Sequence, residues 1–283
     1  MIQQELKTRK VAQVRAARPS SDGDGVKIQR VAGMQDRGMD PILMIDELRS
    51  ERREDFMGGF PPHPHRGMQT LTYMKSGGII HEDSNGNRGE IRGGGAQWMS
   101  AGRGIIHSEM PTQDTSGLHG FQLWINLPAS EKMQAPRYRD IPVAELPRIE
   151  GAGYQATAIA GDWRLSGQAF AGPLLELRGR ASILDLQLEP DQAVVITTGS
   201  EESVMAYIYE GGLAGDQEIG SQNLVVSSDG EAWTLRAGSK GTGLLVLRGQ
   251  PIREPVAHYG PFVMNTPDEI EQAIQDYQSG NFV

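Results

Sequence analysis

Two short clusters, His63-Pro64-His65 and His107-Ser108-Glu109, constrain this chain more than any other feature. Each sets metal-ligating side chains two residues apart. On an extended strand, residues i and i+2 point to the same face. Two such strands side by side inside a barrel bring three imidazoles and one carboxylate to one point. A nitrogen-and-oxygen set of this kind holds a divalent ion of the iron, manganese, cobalt, nickel, copper or zinc group. Four ligands on an octahedral ion leave two positions open, which suits chemistry better than a structural role. The competing reading is a pair of polar loop clusters with exposed histidines. His63, His65, Gln69, Leu71 and Tyr73 share one parity, so Leu71 and Tyr73 are expected to line the same interior. Ile105 shares the parity of His107 and Glu109 and is expected to face inward too. Pro64 lacks an N–H and belongs at an edge or a bulge.

The surrounding sequence is β-like. With 36 glycines and 16 prolines, turns must be frequent, which favours many short strands over long helices. Met68–Met74 favours β structure, Gly77-Gly78 ends it, and Ser84-Asn85-Gly86-Asn87 is a turn signal. Phe121, Leu123, Ile125 and Leu127 alternate with Gln122, Trp124 and Asn126, which predicts a strand with one core face. Prolines 128, 136, 142 and 147 mark a linker to about Glu150, with short helical turns at Ser130–Gln134 and Val143–Leu146. Further strands follow at 183–188, 194–196, 204–209, 224–226, 233–235 and 244–247. Tyr73-Met74-Lys75-Ser76-Gly77-Gly78 is similar to Tyr207-Ile208-Tyr209-Glu210-Gly211-Gly212, as in a distant repeat. That alignment puts Thr197 and Gly199 where His63 and His65 stand, so the second copy has kept the fold and lost the ligands. Near the end, Thr266-Pro267-Asp268-Glu269 is a capping box, and Ile270, Ala273, Ile274 and Tyr277 form a helical stripe that Gly280 can end.

The formal charge of −9 offers nothing to a phosphate backbone, so direct nucleic-acid binding is not expected. Lys7, Arg9, Lys10, Arg15 and Arg18 read as a solvated first strand and its loop rather than an anion-binding arm. There is no cysteine, so any metal must be held by nitrogen and oxygen. The opening MIQQELKTRKVAQV lacks the apolar core of a signal peptide, and no apolar run is long enough to span a membrane. A cytoplasmic protein is the expectation. The glycines from Gly86 to Gly95 are not followed by Gly-Lys-Ser/Thr or a helix pattern, which excludes a phosphate loop. His81-Glu82-Asp83 reads as an exposed hairpin end rather than a second metal site. His119 reads equally as a turn residue or as a group steadying the ligands.

Longer motifs carry a resemblance. Gly58-Gly59-Phe60-Pro61-Pro62-His63-Pro64-His65-Arg66-Gly67 resembles the signature of the pirin family. So do the run from Gln97 through His107-Ser108-Glu109 to Pro111, Gln122-Leu123-Trp124-Ile125-Asn126-Leu127, Arg253-Glu254-Pro255-Val256 and Gly260–Thr266. The resemblance covers nearly the whole chain. It implies an all-β fold of two cupin-type, jelly-roll-like β-barrel domains in tandem with a C-terminal α-helix. The implied domains are a metal-binding one over 1–135 and one without metal over 136–283 that includes the helix. The implied ligands are His63, His65, His107 and Glu109. Two positions depart from general cupins: Gln69 stands near where many place a glutamate ligand, and Gly102 where the second motif often has proline. The Gln69 difference argues against a fifth ligand.

Some pirin-like proteins are flavonol dioxygenases. The resemblance therefore implies opening of a quercetin-type ring by dioxygen with release of carbon monoxide, at one divalent transition metal, iron before the others. Glu109 would be the general base, and Phe60, Leu71, Tyr73 and Trp98 are candidate pocket walls, each also readable as plain core. The alternative is a non-enzymatic, metal-dependent regulator that binds a transcription factor or metabolic enzyme. The expected partner is a small aromatic, flavonol-like substrate, with no nucleic acid and no membrane, and a protein partner only on the alternative reading. The default assembly is a monomer.

Overall fold

A computed structural model of the chain describes residues 6–175, 177–215 and 217–283. They form an all-β fold with a single α-helix among the described residues, Pro267–Ser279. None of these residues forms a helix long and apolar enough to cross a membrane. The chain is organised as two compact units. One comprises Arg18–Met34, Ile42–Val143 and Ile252–Val283, and the other Met1–Ala17, Gln35–Pro41 and Ala144–Pro251.

The first unit holds the histidine clusters. Its larger sheet has seven strands in the order Arg137–Ile141, Ala96–Ser100, Met68–Ser76, Leu118–Asn126, Ile42–Ser50, Val26–Ala32 and Arg18–Asp22. The smaller has four, in the order Phe60–His65, Ile105–Pro111, Gly78–Asp83 and Arg88–Arg92. Pro61, Pro62 and Pro64 thus lie on an edge strand, where a missing N–H breaks no ladder on the open side. Directly paired residues of antiparallel strands share a face. Gln122, Thr72, Gln97 and Asp140 are successive partners across four strands, and Trp124, Thr70, Met99 and Tyr138 form the next row.

This register corrects the expected parity. His65 and Met68 are in different sheets, and Gly67 between them turns with φ +79°. A Cβ on Gly67 would also come within 2.0 Å of the Val263 carbonyl oxygen, so only glycine fits this bend. The alternation therefore does not carry through, and the even-numbered residues of the next strand, not Leu71 and Tyr73, face the histidines. Leu71, Tyr73 and Trp98 are core on the other face, where Tyr73 stacks against Phe121. The supposed linker is also corrected: 3₁₀ turns occur at Ala129–Glu131 and Val143–Glu145, but Arg137–Ile141 between them is a strand of the site-bearing sheet.

The terminal segment belongs by its contacts to this same unit, which differs from a single division after residue 135 that puts the helix with the second barrel. Three ties explain it. Arg66 donates to Asp276 at 2.6 Å, its guanidinium lies 4.5 Å over the Phe282 ring, and Lys132 Nζ donates to the Val263 carbonyl at 3.0 Å. The helix starts as its sequence predicts. Thr266 Oγ1 accepts from Glu269 N, and Glu269 Oε2 accepts from Thr266 N. Ile270 and Ala273 are buried, Tyr277 is largely exposed, and Gly280 closes the helix in the left-handed region.

In the second unit the central strands are Ser203–Leu213, Ala232–Gly249 and Ser182–Leu188. Gly211 adopts φ +65° where its counterpart Gly77 adopts +80°, in keeping with the repeat. The interior is apolar, filled by Trp163, Leu165, Leu186, Ile196, Val225 and Trp233 among others. Its segments contain no histidine.

Candidate metal centre

The edge strand Phe60–His65 pairs antiparallel with Ile105–Pro111, with His63 opposite His107 and His65 opposite Ile105. A register shift follows His107, so Glu109 stands opposite Phe60. Four ligand-type side chains are thereby set on one face of two adjoining strands. Their enclosure is uneven. His65, His107 and Glu109 are buried, and His63 is partly open, which makes its side the accessible one.

His63, His65 and His107 form the one group of its kind among the described residues, with a ring nitrogen of each within 4.8 Å of the others. His63 Nδ1 donates to the Pro61 carbonyl oxygen at 2.8 Å, which turns Nε2 toward His65. Burial, then the neighbouring His63 ring, holds the His65 imidazole well below its ordinary pKa. His107 is lowered likewise, by burial first and then by the rings of His65, His63 and His81. Both are therefore neutral near pH 7, the form that ligates. His107 Nε2 is buried without a hydrogen-bond partner. A buried ring nitrogen without a partner, beside the ring nitrogens of His63 and His65, is an environment that fits a divalent cation.

Glu109 lies beside this trio rather than within it. Thr72 Oγ1 sits 2.9 Å from Glu109 Oε1 and 2.5 Å from Gln122 Oε1, and its hydrogen serves these two acceptors. Gln122 Nε2 donates to the other carboxylate oxygen at 3.3 Å. Burial raises the Glu109 pKa, while the nearby His63 and the Thr72 hydrogen bond oppose the rise.

Several surrounding residues were missed by reading the sequence. His81 is not an exposed hairpin end. It is 1% exposed and stacks on Tyr138 with ring centroids 4.4 Å apart. Trp124 meets His65 edge to face at 5.2 Å. Tyr138 donates to Asp140 Oδ1 at 2.6 Å, and Gln97 donates to both. The available signal was the polar parity of the 118–126 strand: Gln122 and Trp124 turn toward the histidines, while Phe121, Leu123 and Ile125 are the other, fully buried face. His119 bonds Glu47 at 3.0 Å on the Phe121 face, and so does not steady the ligands. Gln69 shares the Leu71 parity and likewise points away from them. Phe60 packs with the apolar cluster of Val26, Phe56 and Ile91.

Comparison with known proteins gives the same picture along the whole chain. Residues 25–125 match the pirin family model, and residues 183–283 match that of the pirin C-terminal cupin domain. A Vibrio cholerae protein, provisionally named a quercetin 2,3-dioxygenase, is 48% identical over 98% of both chains. A crystal structure of quercetin 2,3-dioxygenase from Acinetobacter baumannii superposes with a TM-score of 0.88 at 29% identity, over 97% of this chain and 98% of that one. A bacterial pirin from Escherichia coli, solved in complex with nickel(II), shares the fold at 22% identity, with a TM-score of 0.62 over 84% of this chain and 99% of its own. With both halves matched and a curated relative aligned almost end to end, this bicupin chain belongs to the pirin family.

Proposed function

We propose that this protein is a metal-dependent dioxygenase that opens the ring of flavonols such as quercetin with dioxygen and releases carbon monoxide. One divalent transition metal, iron first among them, would be held by His63, His65, His107 and Glu109. The observation that carries the reading is the convergence of three ring nitrogens, one of them orphaned, next to a buried carboxylate. The names of the Vibrio and Acinetobacter relatives and the nickel in the Escherichia pirin support it by similarity.

When bound, the metal supplies the Lewis acidity that favours the ionised form of the substrate hydroxyl. The protein does the rest through placement. Glu109 accepts the hydroxyl proton on a carboxylate oxygen, and its burial makes it a stronger base than a surface carboxylate. Thr72 and Gln122 fix the direction of that carboxylate. The partly open side at His63 admits the substrate, and the buried flank at His65 and Trp124 keeps water from the opposite side. The reading takes the protein to be cytoplasmic and monomeric.

The test is to load the protein with iron(II), add quercetin in air and follow the loss of flavonol absorbance. Turnover is expected, with a fall of roughly 10²- to 10⁴-fold in Glu109→Gln protein that retains its metal. Absence of turnover with every first-row metal would overturn the enzyme reading in favour of a regulator.

A further inference from the structure

His107 Nδ1 lies 3.2 Å from His81 Nδ1, and His81 Nε2 lies 3.2 Å from Asp83 Oδ2. The direction of both bonds follows from the end of the chain. Asp83 receives three donors besides the contact with His81. Its Oδ1 accepts from Asn85 N at 2.9 Å and Asn87 N at 3.0 Å, and its Oδ2 accepts from Asn87 Nδ2 at 2.8 Å. A carboxylate so engaged acts as an acceptor, so His81 carries its hydrogen on Nε2. His81 Nδ1 then holds a lone pair and must accept from His107 Nδ1–H. His107 is left with its lone pair on Nε2, the buried atom without a partner that joins the metal-ligating trio.

The links are rigid and dry. The Asp83 side chain is fully buried and anchored by the turn that follows it, while His81 is clamped by stacking on Tyr138. Register supports the same alignment, because His107 is the direct partner of Asp83 and Glu109 that of His81. We propose that Asp83 and His81 are positioning residues that set the tautomer of His107, so that the Ser84–Asn87 turn fixes the readiness of the site to take up a divalent cation. This rests on the metal reading above and extends it to residues that touch neither cation nor substrate.

Asp83→Asn tests it sharply. The amide oxygen keeps the two backbone donors of the turn, Asn87 turns its own amide to present oxygen, and the new amide nitrogen faces both it and His81 Nε2. A donor there reverses every link: His81 becomes protonated on Nδ1, donates to His107 Nδ1, and forces the His107 hydrogen onto Nε2. In metal-free, ¹⁵N-histidine-labelled protein, NMR is expected to show His107 protonated on Nδ1 in the parent and on Nε2 in Asp83→Asn. Nickel(II) affinity by competition dialysis is expected to fall about 10- to 100-fold, the usual effect of losing a residue behind a ligand. His81→Phe keeps a ring against Tyr138 but deletes both bonds, so it frees the tautomer without reversing it. It is expected to lose less affinity than Asp83→Asn, an order that general loosening of the site does not produce. Parent-like tautomer and parent-like nickel affinity in Asp83→Asn would overturn the proposal, as would an equal loss in the two variants with no tautomer change. If the parent takes up no nickel, the metal reading fails, and the tautomers read without metal still decide the relay.

Discussion

His63 Nε2 and His65 Nε2 face one another at 3.1 Å, although their residues are separated by a single proline. The Pro61 carbonyl occupies His63 Nδ1, and burial keeps His65 neutral. Two ring nitrogens at this separation share a proton or a cation between them. The edge strand therefore holds its histidines close enough for one proton or one cation to bridge them.

Removing one of the three imidazoles should weaken metal uptake without unfolding the barrel. His63→Ala and His107→Ala are each expected to lower bound metal by roughly tenfold or more. The apolar cluster of Val26, Ile28, Leu48, Phe56, Met74, Ile79, Ile91 and Leu118 is untouched by either change, so circular dichroism should stay native. Elemental analysis reads the first quantity. Equal metal content in both variants and the parent contradicts the ligand assignment.

Glu109 gives the metal-free protein a pH signature. Its folded pKa is raised above the ordinary carboxylate value, so the folded state favours the protonated form. The stability this contributes is present at acid pH and is lost as pH rises through the raised value. Metal-free Glu109→Gln protein cannot ionise there, and its melting temperature should exceed that of the parent at neutral pH and converge with it at acid pH. A constant difference across pH would rule this out.

Thr72→Val keeps the shape of the side chain and deletes the hydroxyl. The Thr72 hydrogen bond is one of two influences that restrain the rise in the Glu109 pKa. Without it the pKa climbs further, and the acid limb of the kcat/KM profile should move to higher pH. A limb that stays at the parental pH shows that the hydroxyl does not act on the carboxylate.

Lys132 is buried and donates to the Gly67 carbonyl, Asn126 Oδ1 and the Val263 carbonyl. Burial lowers its pKa to about 8, against the pull of Glu254 and Glu269. A depressed folded pKa means stability that is present above the unfolded value and lost as pH falls through about 8. Lys132→Met leaves three oxygens without their donor, and should destabilise the protein by about 1–3 kcal/mol at pH 7. Urea unfolding at pH 7 and pH 10 should also show that the parent's gain with pH is absent from the variant.

What could be read from the sequence was what is local. The histidine spacing and the Thr266 capping box depend on neighbours within four residues, and both appear as expected. The interior opposite the histidines was misassigned because alternation was carried across Gly67, where the chain changes sheet. Thr72 and Gln122 were missed because polar residues facing a barrel interior make sense only once the carboxylate they hold is known. His81 looked exposed because it precedes a turn, yet the stacking of Tyr138 buries it, and that contact comes from a segment whose prolines suggested a linker.

The histidines leave the ribosome early, but the barrel that surrounds them waits for residues 252–283. Only then can Phe282 settle against Gly104, Asp276 meet Arg66, and Lys132 find its third oxygen. Vectorial synthesis thus finishes the histidine-bearing half after the whole intervening barrel has been translated. Arrival of the histidines and closure of their housing are separate events in the life of the nascent chain.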